Sequence, residues 1–220
     1  MKILIVSATT FEVAPLFGKL NTSFNDNSNF ISTTHHKHTI DFLITGVGMV
    51  ATSYQTTKAL IHKQYDLAIN IGICGTFNKN LELGTVVNIY QDCFSELGAE
   101  DGEIFVTLEE LHLKGQTAII NETTISNAVI NEIPKVTGIT VNTAHGNEQS
   151  IEKVFDKFHP YVESMEGAAF MFVCQNEQVP YIQIRAVSNL VEQRNKNNWN
   201  IPLAIENLNK KVLEILDALD

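Results

Sequence analysis

Three short, mostly apolar runs, residues 2–6, 67–72 and 181–187, constrain this chain more than any other feature. None alternates strictly between polar and apolar positions and each is too short for a stable helix, so each reads as a strand buried on both faces. Such strands belong to parallel sheets covered by helices on either side, which narrows the fold class before any motif is considered.

The remaining segments fit that frame. Residues 48–64 place Val50, Tyr54, Thr57, Leu60 and Ile61 at helical spacing. Residues 166–177 set Ala169, Phe170, Val173 and Cys174 on one helical face, and Pro180 ends the pattern. Pro202 suits the first turn of a closing amphipathic helix that runs through Leu203, Ile205, Leu208, Val212, Ile215, Leu216 and Leu219. Residues 30–34, 39–45, 86–93, 117–120 and 139–143 read as further strands, and the polar stretch 21–29 as a loop. The expected architecture is α/β: a single three-layer domain over residues 1–220, with a mixed, mostly parallel central sheet flanked by helices. A composition of 44% hydrophobic and 18% charged residues, at a mean hydropathy of 0.00, supplies the core that this requires.

Charge and cysteine content exclude several functions. The net charge of -10 repels phosphate backbones and anionic lipid surfaces, so neither nucleic acid nor membrane is an expected partner. The first apolar run is too short for a signal segment or a membrane span, and Cys74, Cys93 and Cys174 are too scattered for a disulfide framework or a CxxC metal site. A cytoplasmic protein with inert buried thiols is expected. His35, His36 and His38 cluster at a hairpin turn without an acidic neighbour in sequence, which reads as a solvated tip and not as a metal site.

Four segments could carry chemistry. GVGMVA at 46–51 matches a dinucleotide-binding glycine pattern, with Asp66 twenty residues on. Asp66, however, precedes the strand at 67–72 and falls at the wrong edge of the sheet for a ribose contact, so Gly46 and Gly48 are expected to line a different kind of site or to let the helix approach closely. NIGICG at 70–75 is a second strand that ends in glycines. VESMEGAA at 162–169 places Glu163 and Glu166 on either side of Met165 at a strand-to-helix junction, where Glu166 could instead be satisfying the helix dipole. RAVSN at 185–189 turns polar at the carboxyl end of a buried strand, where open α/β sheets bind small molecules.

Taken together, the start MKILIVSATTFEV, then GVGMVAT, NIGICG, VESMEGAA and RAVSN followed by Arg194 and Trp199, resemble the purine nucleoside hydrolase and phosphorylase superfamily and, within it, the futalosine hydrolases. The resemblance implies hydrolysis of a nucleoside at its N-ribosidic bond with no metal or organic cofactor, a small-molecule nucleoside as partner, and a homo-oligomer. It assigns Glu12 to activating water, Glu166 to the ribose hydroxyls, Met165 to packing on the sugar, and Arg185 and Ser188 to polar support of the water and base sites. Gly48, Met49, Gly72 and Ile73 are implied as substrate contacts. Arg194, one of two arginines, and Trp199 follow the base-reading strand, so one or both are expected to hold the carboxylate-bearing tail of futalosine, the alternative being a surface Arg and a core Trp.

Two positions depart from the adenine-specific nucleosidases: Asn189 stands where they carry Asp, and Ile73 where they carry Ser or Thr. An Asn amide can donate to a 6-oxo group and accept from N7–H, which points to a hypoxanthine-type base. An amide cannot supply a proton, so the acid that assists the leaving base is left to a solvent route. Phosphorylases of this fold use several arginines, and Arg185 and Arg194 are the only two here. A phosphorylase and a nucleoside-binding protein without turnover remain the rival readings.

Overall fold

The computed structural model describes residues 1–22 and 29–219. Strand β1 (Lys2–Ser7) lies between β3 (His38–Ile44) and β4 (Leu67–Thr76) and is parallel to both. Its side chains alternate between two cores: Ile3 and Ile5 pack with α1 (Thr10–Lys19) and α6 (Ile201–Asp217), whereas Leu4 and Val6 pack on the side of α5 (Gly167–Asn176). Both faces are therefore covered, each large aliphatic side chain contributing roughly 1.5–3 kcal/mol by leaving water. This is the expected three-layer α/β arrangement.

The sheet continues past β4 to β11 (Tyr181–Leu190), β5 (Val86–Phe94) and β9 (Lys135–Thr140). β2 (Phe30–His35) closes one edge, and β8 (Ala118–Ile120) pairs with β5. The short β10 (Val162–Ser164) is parallel to β9 and antiparallel to β4, so β4, β11, β5, β9 and β10 close into a ring. Helices α2 (Met49–His62), α3 (Ala128–Glu132) and α4 (Glu148–Phe158) and the hairpin of β6 (Gly98–Asp101) and β7 (Ile104–Thr107) complete the chain.

Local chemistry explains the boundaries near the site. Thr9 and Glu12 form a capping box that starts α1 immediately after β1. Asn200 caps α6 ahead of Pro202. β11 runs parallel to β4 until a bulge: Val187 pairs with Cys74 and Asn189 with Gly75, which leaves Ser188 as the extra residue.

Three expectations need adjustment. The strand expected at 139–143 starts earlier, at Lys135, because pairing with β5 begins right after Pro134. The expected loop at 21–29 falls largely on residues 23–28, which lie outside the described residues. The histidine turn is not simply a solvated tip, since α6 brings an acidic partner that sequence distance concealed. His35 Nε2 and His36 Nε2 donate to Asp217 Oδ1 at 2.6 and 3.2 Å, and His38 is buried with its Nε2 3.3 Å from the Leu219 carbonyl oxygen. The donor atoms of His35, His36 and Asp217 lie within 4.8 Å of one another, close enough to share a cation, although the side chains of His36 and Asp217 are 62% and 49% exposed. Among the described residues no helix is long and apolar enough to cross a membrane.

Candidate active site

The carboxyl ends of β1, β4 and β11 and the junction of β10 with α5 surround a cavity of about 450 Å³. Glu12, Ile73, Met165, Glu166, Ser188 and Asn189 line it, and Arg194 and Trp199 add to its wall.

Glu12 is buried and held from two sides. Its Oε2 accepts from Thr9 N at 3.1 Å, Thr9 Oγ1 at 2.8 Å and Ser7 Oγ at 3.3 Å, while Oε1 accepts from Ile73 N at 3.1 Å. The capping box that starts α1 thus also aims a carboxylate into the cavity. Such a group can orient a water and take its proton.

Glu166 stands at the head of α5, yet it makes no capping bond to that helix. Its Oε1 accepts from Gly48 N at 3.2 Å and its Oε2 from Arg185 Nη1 at 3.3 Å. The simple dipole role is therefore replaced by a tie between the start of α2 and the middle of β11. Burial raises the Glu166 carboxyl above the usual carboxylate range, with the Arg185 cation opposing the rise and the Glu12 charge adding to it. Gly48, at φ +98°, serves through its bare amide and not through the cavity wall.

Arg185 requires a correction. It is buried beneath Glu166 and does not line the cavity, because its donors are taken by the protein: Nε by Gln183 Oε1 at 3.1 Å, Nη2 by Asn70 Oδ1 at 2.5 Å and Nη1 by Glu166. It acts through Glu166. Gly72 pairs with Arg185 across the sheet, and a methyl group there would run into the guanidinium and Glu12 Oε1, so Gly72 makes room for both and is not among the residues that line the cavity. Met49 is also placed elsewhere, in a neighbouring cavity beside Phe94 and Phe172.

Sequence reasoning missed the residues that hold Arg185. Asp92 Oδ2 accepts from Gln183 Nε2 at 2.9 Å, turning the Gln183 carbonyl toward Arg185, and Asp92 Oδ1 accepts from Thr140 Oγ1 at 2.9 Å. Burial pushes the Asp92 carboxyl up to about 6. A signal existed for Gln183, which is two residues before Arg185 in a buried strand and so shares its face. Also missed were His145 and any role for Glu163: Glu163 Oε1 accepts from His145 N at 2.9 Å and Oε2 lies 2.5 Å from His145 Nδ1, with both residues on the cavity wall.

At the far wall the β11 bulge sets Ser188 Oγ 3.1 Å from the Cys74 carbonyl oxygen and 2.8 Å from Asn189 Oδ1, and Asn189 Nδ2 donates to the Leu190 carbonyl oxygen at 2.8 Å. One N–H and one lone pair of the Asn189 amide remain for a ligand. The Arg194 guanidinium carbon lies 5.1 Å from the Trp199 ring centroid. Asp66 accepts from Lys2 N at the opposite edge of the sheet, away from the cavity, as its sequence position implied.

The fold and the paired carboxylates define a class: the family model of the phosphorylase superfamily matches residues 2–219, and the chain belongs to that superfamily. Futalosine hydrolase of Acidothermus cellulolyticus is 29% identical over 79% of this chain and 73% of the relative. The 5'-methylthioadenosine/S-adenosylhomocysteine nucleosidase of Buchnera aphidicola is 26% identical over 100% of this chain and 97% of its own length. In structure, the chain matches native futalosine hydrolase of Helicobacter pylori with a TM-score of 0.85 at 19% identity, covering 100% of this chain and 98% of that one.

Proposed function

We propose that this chain is a cytoplasmic N-glycosyl hydrolase that cleaves futalosine to hypoxanthine and dehypoxanthine futalosine, a step of menaquinone biosynthesis. The observation that carries hydrolysis is the pair of buried carboxylates, Glu12 and Glu166, in a cavity whose described lining carries a single Lys or Arg, short of the several guanidinium groups a phosphate clamp uses. Arg185 is committed to Gln183, Asn70 and Glu166. Arg194 is the one Lys or Arg among the described residues that line the cavity, and its guanidinium stacks with Trp199. In this reading water lies between Glu12 and the anomeric carbon. As the C–N bond breaks, its electron pair leaves with the purine, the water oxygen bonds to the sugar, and Glu12 takes the water proton. Glu166 accepts from the ribose hydroxyls, and Ser188 and Asn189 meet the base.

Futalosine is favoured by the Asn189 amide and by Arg194 and Trp199, which could meet a carboxylate tail. A second reading, 5'-methylthioadenosine/S-adenosylhomocysteine nucleosidase, is favoured by relatives that match the whole chain. Incubation with each nucleoside in phosphate-free buffer separates them. Free hypoxanthine from futalosine is expected, at a rate that added phosphate does not change. Free adenine from methylthioadenosine alone would establish the second reading, and a sugar phosphate formed only with phosphate would overturn hydrolysis. The proposal includes a homo-oligomer, supported by the exposed apolar residues Val50, Tyr54 and Ile61 on α2 and Val47 at the cavity, and light scattering of the purified protein tests it.

A further inference from the structure

We propose that His145, held by Glu163, is the acid that protonates the departing purine; this rests on the hydrolase reading above. That reading leaves a gap, because a purine anion is a poor leaving group and none of the residues already assigned can supply its proton. Asn189 is an amide, the Ser188 hydroxyl faces the Cys74 and Asn189 oxygens, and Glu12 works on the sugar side as a base.

The ring closure of the sheet brings a candidate to the base side. Gly75 of β4 pairs with Asn189 of β11 on one side and with Glu163 of β10 on the other. Glu163 and Asn189 therefore stand one strand apart on either side of the same residue, roughly 10 Å between their backbones at the usual strand spacing. Both oxygens of the buried Glu163 carboxylate are used on His145, one on the backbone N–H and one on ring Nδ1. This two-point hold fixes the ring and assigns Nδ1 as a donor, and Nε2 has no hydrogen-bond partner among the described residues. In the proposed acid form Nδ1–H stays on Glu163 and the transferable proton is the one on Nε2, in a ring that forms part of the cavity wall.

The step balances. As the bond from the anomeric carbon to the purine nitrogen breaks, its electron pair passes to the purine, and the Nε2 proton of His145 moves to a purine ring nitrogen. His145 is left neutral with its Nδ1–H still on Glu163. Water adds to the sugar and gives its proton to Glu12, and solvent restores both groups. Glu163 is a positioning residue, and the cluster is a site for the edge of a 6-oxopurine.

The test compares futalosine with its N7-methylated form, whose purine is already cationic and leaves without taking up a proton. His145→Gln should lower kcat on futalosine by about 10²-fold or more with little change in KM, and lose no more than about threefold on the methylated nucleoside. Glu163→Gln should show the same selective loss to a smaller degree. Turnover of the methylated nucleoside by each variant also reports that it has folded. Wild-type kcat on futalosine in His145→Gln, or an equal loss on both substrates, overturns the role of His145 while leaving the hydrolase reading intact. A wild-type protein that releases no purine from either nucleoside overturns the futalosine reading, and this proposal with it.

Discussion

Replacing Asn189 by Asp tests base selection at the point where this chain departs from the adenine-specific pattern. In the structure Asn189 Nδ2 donates to the Leu190 carbonyl oxygen and Oδ1 accepts from Ser188 Oγ, each at 2.8 Å. An Asp keeps the Ser188 bond but sets a carboxylate oxygen against the Leu190 carbonyl, which costs about 1–3 kcal/mol. That cost is the same whichever substrate is bound and cancels in a ratio. What remains is the base. The amide N–H that would meet O6 is gone, so O6 faces a charged acceptor without a donor, a loss of about 1–3 kcal/mol. A 6-amino group in the same place donates to the carboxylate and gains a charge-assisted bond. The ratio of kcat/KM for futalosine to that for its 6-amino counterpart should fall by about tenfold or more, even if both values drop. Competition of the two nucleosides for one enzyme sample measures this directly. A ratio that stays within about twofold of wild type would refute the assignment of Asn189 to the base edge.

Glu12→Gln keeps an acceptor for Ile73 N and little changed volume, so it should retain ligand binding while kcat falls by roughly 10²–10⁴-fold; near-wild-type turnover would leave Glu12 as a helix cap alone. Gly72→Ala forces a methyl group against Arg185 and Glu12, and is expected to cost about 1–3 kcal/mol in urea unfolding and to reduce kcat; an unchanged midpoint and kcat would contradict the packing. Arg194→Ala should raise KM for futalosine by about tenfold and leave KM for a nucleoside without the carboxylate tail alone, and equal KM values discard the contact. Burial raises the Asp92 carboxyl from 3.8 to about 6, so its ionisation works against the fold: its contribution to stability is greatest below the unfolded value and is lost as pH rises through about 6. Asp92→Asn should therefore be less sensitive than wild type to a rise from pH 4 to pH 7, by up to about 3 kcal/mol, and parallel unfolding curves would show that Asp92 does not titrate in this way.

The central strands were legible because burial on both faces leaves mostly apolar runs, with Asn70, Gln183 and Arg185 too few to hide them, and β1, β4 and β11 fall where those runs do. The hairpin of β6 and β7 was not legible. Gly98–Asp101 is exposed throughout, so it carries no apolar period to read. Among site residues, Glu166, Ser188 and Asn189 stood out as polar groups at a strand-to-helix junction or after a buried apolar run, whereas Glu12 was singled out only through the family resemblance. Arg185 carried the same signal but occupies a buried position, and the sequence could not reveal that Asn70 and Gln183 would take its donors.

His145 and Glu163 show what such reading cannot reach. Glu163 sits between apolar Val162 and Ser164 in a three-residue strand, and His145 lies in a loop with no regular pattern. Their pairing depends on β10 joining both β9 and β4, a closure set by two strand registers on opposite sides of Val162 and Glu163. A register is a relation between segments and leaves no mark within either. The same closure sets Gly75 between Glu163 and Asn189, so a side chain at position 75 would meet Val191 and Asn189 before any ligand arrived. The glycine that ends the NIGICG strand is thus the clearance that lets Glu163 and Asn189 flank one cavity.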